Sequence, residues 1–308
     1  MSAEAWPKIA VVGAGAVGGY FGGMLARAGA PVVFIGRPRF VEAVERDGLM
    51  LDAVHFKEKL KVEASTELSA ARDAQIVLFC VKTTDTAATA RDLAPLLAKD
   101  ALVVSMQNGV DNAEQIHAAS GLHALPAAVY VAAAVPSPAT VKHVGRGDLV
   151  IGPKSLATER VAAVFERASV PCRISDHLEA EIWTKLVWNC GLNAISALGK
   201  ATYGDILANE DARQLVEGAV LEVILVAKAA GIHLPSFADP KAAMAGAYKV
   251  AESMAATRSS TAQDMMRGKR TEIDSLNGFI VRKGREVHVP TPINHVLFTL
   301  VKLAETAT

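Results

Sequence analysis

The tightest constraint in this chain is a short apolar run, Ile9-Ala10-Val11-Val12, that passes directly into Gly13-Ala14-Gly15-Ala16-Val17-Gly18. A helix-compatible stretch through Phe21, Leu25 and Ala28 follows at once. Strand, glycine-rich turn and helix in that order predict the opening of a Rossmann-type dinucleotide-binding fold. Each glycine has its own role there. Gly13 allows the tight turn, Gly15 lets the backbone approach a pyrophosphate, and Gly18 lets the helix lie close on the strand. The N–H groups at the helix start, including those of Ala16 and Val17, would then receive the anion.

The rhythm of that first unit continues to about residue 172, with short apolar strands expected over 9–12, 32–35, 76–81, 102–105 and 125–131. Helical stretches separate them, as βαβ units of a mainly parallel sheet require. Beyond residue 172 the β-branched runs vanish and helix signals take over. Ser175 or Asp176 can cap one helix, and Thr291 before Pro292 reads as cap and first-turn proline of another. The prediction is an α/β Rossmann-type domain over 1–175 followed by an all-α domain over 176–308, as a chain of 308 residues can accommodate.

Charge and cysteine usage exclude several classes. The 32 basic and 32 acidic side chains cancel, so nothing global attracts a nucleic-acid backbone or an anionic membrane. Apolar runs such as 127–135 fall short of the roughly 18 residues of a membrane span. No basic-then-apolar leader precedes Pro7, so a soluble cytoplasmic protein is expected. Cys80, Cys172 and Cys190 are an odd, widely spaced set among apolar neighbours, which argues against a disulfide framework and against a metal site.

The second strand indicates which dinucleotide is bound. An acid about 20 residues beyond the glycine turn would hold the ribose 2′-hydroxyl of NAD. Gly36 stands there instead, followed by Arg37 and nearby Arg39, so the sequence favours NADPH, whose 2′-phosphate a guanidinium can grip. Lys82 and Asn108 fall at the carboxyl ends of later strands, where open α/β sheets bind ligands. Lys82 offers a cation to phosphate or ribose, and Asn108 can donate and accept beside the nicotinamide, although Asn108-Gly109 also suits an ordinary turn.

In the second half, Lys185, Asn189 and Asn193 recur at four-residue spacing and share one stripe of a predicted helix over 179–198. Trp183, Leu186, Val187, Trp188, Leu192 and Ile195 would bury much of that helix, so a lysine and two asparagines there need polar company. A ligand would supply it; a solvated stripe is the plainer alternative. Two further polar clusters, 259–264 and 271–278, read by composition as helix caps, though a cap does not account for Glu272.

Taken together, GAGAVG at 13–18, QNG at 107–109, WTKLVWNCGLNAISAL at 183–198, SSTAQD at 259–264 and TEIDSLNG at 271–278 resemble the ketopantoate reductase family. The resemblance spans nearly the whole chain and implies an N-terminal Rossmann domain joined to a helical domain. It also implies reduction of 2-dehydropantoate with NADPH. By this likeness Lys185 corresponds to the proton-donating lysine, Asn189 and Asn193 to substrate-binding amides, and Ser260 to the residue holding the substrate carboxylate. Glu272 corresponds to the active-site glutamate, near cofactor and lysine, and Asn108 to the asparagine touching cofactor and substrate. Thr261 and Ala262 depart from the family pattern, which usually has methionine and then leucine or tryptophan, and this implies a pocket of different shape.

Hydride addition turns a ketone oxygen into an alkoxide, so the site needs a cation aimed at that oxygen, and Lys185 is the expected acid. Two alternatives stay open: a reductase of another small 2-oxo acid, and a silent dinucleotide sensor, which would have no use for Lys185. The apolar helices of the second half suit either a core or the interface of a homodimer.

Overall fold

The computed structural model describes residues 5–237 and 239–306, and the chain divides into two compact units, Met1–Leu178 and Glu179–Thr308. The first unit runs β1 (Ile9–Val12), α1 (Ala16–Arg27), β2 (Val32–Ile35), α2 (Pro38–Asp47), β3 (Leu49–Ala53), β4 (Phe56–Leu60), β5 (Glu63–Ser65) and β6 (Ile76–Phe79). It continues with α3 (Thr86–Leu93), β7 (Leu102–Ser105), α4 (Asn112–Ser120), β8 (Ala124–Ser137), β9 (Thr140–Ile151), α5 (Leu156–Arg167) and β10 (Cys172–Ile174). The sheet order is β4-β3-β9-β8-β7-β6-β1-β2-β5, with β10 paired to β9.

β1 lies between β2 and β6, parallel to both, with Ile9 opposite Val32 on one side and Ile76 on the other. All four of its residues are buried, and alternate side chains feed opposite faces of the sheet. Ile9 and Val11 join Phe21, Leu25 and Phe34, whereas Ala10 and Val12 join Val77, Phe79 and Val103. Each fully buried Phe or Leu in such a core contributes about 1.5–3 kcal/mol.

The sheet is mixed. β8 and β9 form a long antiparallel pair, and β3 and β4 form a second. The strand expected over 76–81 stops at Phe79, and the one expected over 125–131 extends through Ser137. β4 alternates half-buried and exposed residues around Lys57 and Lys59, and so carries no apolar run that would mark it as a strand.

The second unit is helical: α6 (Leu178–Leu198), which opens at the last residue of the first unit, then α7 (Tyr203–Ala208), α8 (Glu210–Ala229), α9 (Pro240–Ser253), α10 (Ser260–Met266), α11 (Asn277–Glu286) and α12 (Pro292–Thr306). α6 buries Trp183, Leu186, Val187, Cys190, Ala194 and Ala197. It crosses α8 closely at Gly191, where an added Cβ would stand 2.8 Å from Val220 Cγ2. Pro292 opens α12 directly after Thr291, whose carbonyl accepts the His295 N–H at 2.9 Å, and a side chain from another helix completes the cap. The Glu222 carboxylate of α8 accepts the first-turn N–H groups of Ile293 at 2.8 Å and Asn294 at 2.9 Å. A carboxylate suits that place because it also meets the positive end of the helix dipole. Among the described residues no helix is long and apolar enough to cross a membrane, and no cluster of three or more His, Cys, Asp or Glu is placed to hold a metal ion.

Candidate active site

In the first unit, the carboxyl ends of β2, β1, β6 and β7 lie side by side, which brings the glycine turn, Arg37, Lys82 and Asn108 to one edge of the sheet. The glycines are held there by contact. Gly13 has φ +102°, and a Cβ on it would stand 2.7 Å from the Cys80 carbonyl group and from Val81 N. Gly18 presses on the turn itself, since its Cβ would meet Gly13 O at 2.3 Å and Val11 Cγ1 at 2.8 Å. Gly15 is the opposite case. A Cβ there finds no atom within 4 Å outside its chain neighbours, and Gly15 stands as the N-cap of α1 with no side-chain cap. Open space over an uncapped helix start fits the pyrophosphate of a dinucleotide.

Gly36 is required by packing, because a Cβ would come within 2.9 Å of Phe40 and 3.1 Å of Ala14 in the glycine turn. A side chain at position 36, an NAD-selecting acid included, would therefore need Phe40 or the glycine turn to shift. Arg37 and Arg39 are both exposed at the start of α2. Lys82 is half-buried just before a short 3-10 turn, Thr83–Asp85, and Cys80, two residues earlier, is half-buried, with desolvation pushing its thiol well above its ordinary pKa. Asn108 is half-buried, and its carbonyl accepts from Asn112 Nδ2 at 2.6 Å, with Gly109 at φ +103° beside it.

In the second unit, three segments far apart in sequence converge on α6. Asn193 is 3% exposed, and its Oδ1 accepts from Tyr203 Oη at 3.4 Å. Burial holds the Tyr203 phenol up at about 12, so it stays a neutral donor. Ser259 Oγ donates to the Asn193 carbonyl at 2.9 Å, and Ser259 N donates to Ser196 Oγ at 3.1 Å. Ser260, the next residue, is exposed in the first turn of α10. Thr261 and Ala262 are both 2% exposed.

The third segment approaches from α11. Asn277 Nδ2 donates to Cys190 O at 3.1 Å, and Phe279 packs edge-on against Trp183 with ring centroids 5.6 Å apart. Ile273 is fully buried in a cluster with Ala194 and Leu297. Glu272 therefore stands half-buried between an anchored Ile273 and Thr271, whose N–H donates to Glu305 at 2.7 Å. Lys185 and Asn189 are half-buried on α6, so the stripe is not fully solvated.

Residues 9–155 match the family described as ketopantoate reductase PanE/ApbA, and residues 177–305 match the C-terminal part of the same family. The chain belongs to the ketopantoate reductase family. It is thereby an oxidoreductase of the 2-dehydropantoate 2-reductase type. Over 304 residues it is 31% identical to the 2-dehydropantoate 2-reductase of Pyrococcus horikoshii, covering 97% of each chain. A PanE/ApbA family ketopantoate reductase from Ralstonia eutropha JMP134, solved by crystallography, is 45% identical with a TM-score of 0.92, over 97% of this chain and 99% of that one. A D-mandelate dehydrogenase solved with NADH and anilino(oxo)acetate is 25% identical with a TM-score of 0.90, over 97% and 99% of the two chains.

Three buried polar side chains also hydrogen-bond across these segments. Ser259, Ser196 and Gln107 lie inside the motifs at 259–264, 183–198 and 107–109, but their spacing alone does not show what they bond to. Their signal is buried polarity, with exposures of 1%, 0% and 6%, and that becomes visible only once the fold is known.

Proposed function

We propose that this chain reduces 2-dehydropantoate (ketopantoate) to pantoate with NADPH, a cytoplasmic step of pantothenate and coenzyme A biosynthesis. The observation that carries this reading is the convergence on α6 of the Ser259-Ser260 and Glu272 segments, around the stripe of Lys185, Asn189 and Asn193. Gly13, Gly15, Ala16, Val17, Gly18, Arg37, Lys82 and Asn108 would hold the dinucleotide, with Glu272 adding a contact. When bound, the dinucleotide supplies a hydride to the ketone carbon.

The chain's own residues do the rest. The Lys185 ammonium stabilises the negative charge that develops on the ketone oxygen and then gives that oxygen its proton. Asn189 and Asn193 orient the polar groups of the substrate, and Ser260 donates to its carboxylate without adding a charge that would compete with Lys185. Glu272 orients the lysine. A homodimer would cover the large apolar side chains that α12 leaves exposed, Val296, Leu300 and Leu303.

A second reading, reduction of another 2-oxo acid, is favoured by Thr261 and Ala262 where the family usually has larger residues, and by the similarity to a D-mandelate dehydrogenase. NADPH oxidation measured against a panel of 2-oxo acids decides between the two. The first reading expects the highest kcat/KM with ketopantoate; a panel member that exceeds it about ten-fold, or 1.4 kcal/mol in transition-state binding, would establish the second.

A further inference from the structure

Gln107 is 6% exposed, yet its side chain is a neutral amide with two N–H donors and a carbonyl acceptor. All of them are engaged. Nε2 donates to the Val81 carbonyl at 2.9 Å and to Thr86 Oγ1 at 2.7 Å, while Oε1 accepts from Ser105 Oγ at 3.2 Å. The Val81 carbonyl can only accept, so it fixes which way the amide faces.

The position of these bonds matters more than their number. The β6–β7 ladder ends with Phe79 opposite Ser105, and the Met106 N–H donates to the Phe79 carbonyl at 2.9 Å. Beyond that pair one chain enters the 3-10 turn after Lys82, and the other runs through Asn108 toward α4. The Gln107 side chain spans the two there. It is bonded to the carbonyl immediately before Lys82, and it is itself the residue immediately before Asn108.

We propose that Gln107 is a positioning residue that sets the spacing of Lys82 from Asn108 and so holds Lys82 where it grips the dinucleotide. This rests on the reading that Lys82 contacts bound NADPH. Glutamine is well suited to bridging the two strand ends. Glutamate would set a carboxylate oxygen against the Val81 carbonyl, and methionine would fill the space but bond to neither strand end.

The test is a double-mutant cycle on the full-length protein, with the dissociation constant of NADPH read by fluorescence titration and folding checked by thermal melting. Gln107→Met is expected to weaken NADPH by about five-fold or more, and to add less than about two-fold when Lys82 is already alanine. Should Gln107→Met fold poorly, Gln107→Glu carries the same cycle, because the Ser105 and Thr86 hydroxyls can still donate to it. Parent-like affinity in the folded Gln107 variant, or an undiminished loss on top of Lys82→Ala, overturns the proposal. A role confined to folding would give the first of these outcomes together with a lowered melting temperature. Failure of the parent protein to bind NADPH would instead overturn the cofactor reading on which the proposal rests.

Discussion

The Ser259 hydroxyl donates to the Asn193 carbonyl at 2.9 Å and accepts the Ala262 N–H at 3.0 Å, so one buried side chain both caps α10 and ties it to α6. Because Ser260 follows directly, this clamp sets where the proposed carboxylate ligand stands relative to the amide stripe.

Ser259→Ala and Ser260→Ala should therefore behave differently. Losing the cap and the buried bond at Ser259 should cost about 1–3 kcal/mol of stability and raise the KM for ketopantoate. Ser260 is exposed, so its alanine variant should melt like the parent and raise KM more than it lowers kcat, since the carboxylate contact exists in both ground and transition states. Thermal melts and steady-state kinetics check both. A ketopantoate KM unchanged in Ser260→Ala removes that residue from the site.

The glycine turn gives a second contrast. Gly15→Ala meets no atom within 4 Å, so it should melt close to the parent while weakening NADPH, because the methyl occupies the space left for the pyrophosphate. Gly18→Ala collides with Gly13 O and Val11 and should cost about 1–3 kcal/mol as an overpacked site. Calorimetry with and without NADPH separates the two effects. Equal destabilisation by both substitutions would contradict the assignment of open space to Gly15.

Much of this was legible in the sequence, for reasons that also explain what was not. β1, β2 and β7 are fully buried or nearly so, and a strand buried on both faces shows as an apolar run. β3, β4 and β9 mix charges and glycines with apolar residues, and β9 pairs with β8 through register shifts, so neither run length nor alternation marks them. The α6 stripe could be read from spacing alone. The residues that brace α6 could not: Ser259, Ser196 and Asn277 act through partners 63 to 87 residues away, which no local pattern encodes.

Arg37→Ala should shrink the preference for NADPH over NADH by about ten-fold or more, the worth of one charge-assisted contact. The side chain is exposed at the start of α2, so stability should stay within about 0.5 kcal/mol of the parent. Paired titrations with the two dinucleotides measure this. Equal affinity of the unmodified protein for both would contradict a phosphate-binding role.

The three cysteines should be inert in the native protein. Burial raises the thiols of Cys80 and Cys190 well above their ordinary pKa, and burial together with Glu166 brings Cys172 to about 12. At pH 8 all three stay protonated, and the thiolate is the reactive form. Iodoacetamide should leave them unmodified in the folded protein and alkylate all three in urea, as read by intact mass. Rapid native labelling of Cys172 or Cys190 would show that its buried site opens, and of half-buried Cys80 that its thiol ionises.

The central claim is that Lys185 supplies the proton in a reduction driven by NADPH, and its most direct test is one comparison on Lys185→Ala. The dissociation constant of NADPH and the turnover of ketopantoate are measured on the same preparation beside the parent. The account predicts unchanged NADPH affinity and a loss of kcat of about 100-fold or more, the usual contribution of a positioned general acid. Parent-like turnover by Lys185→Ala would contradict it and remove Lys185 from the chemistry.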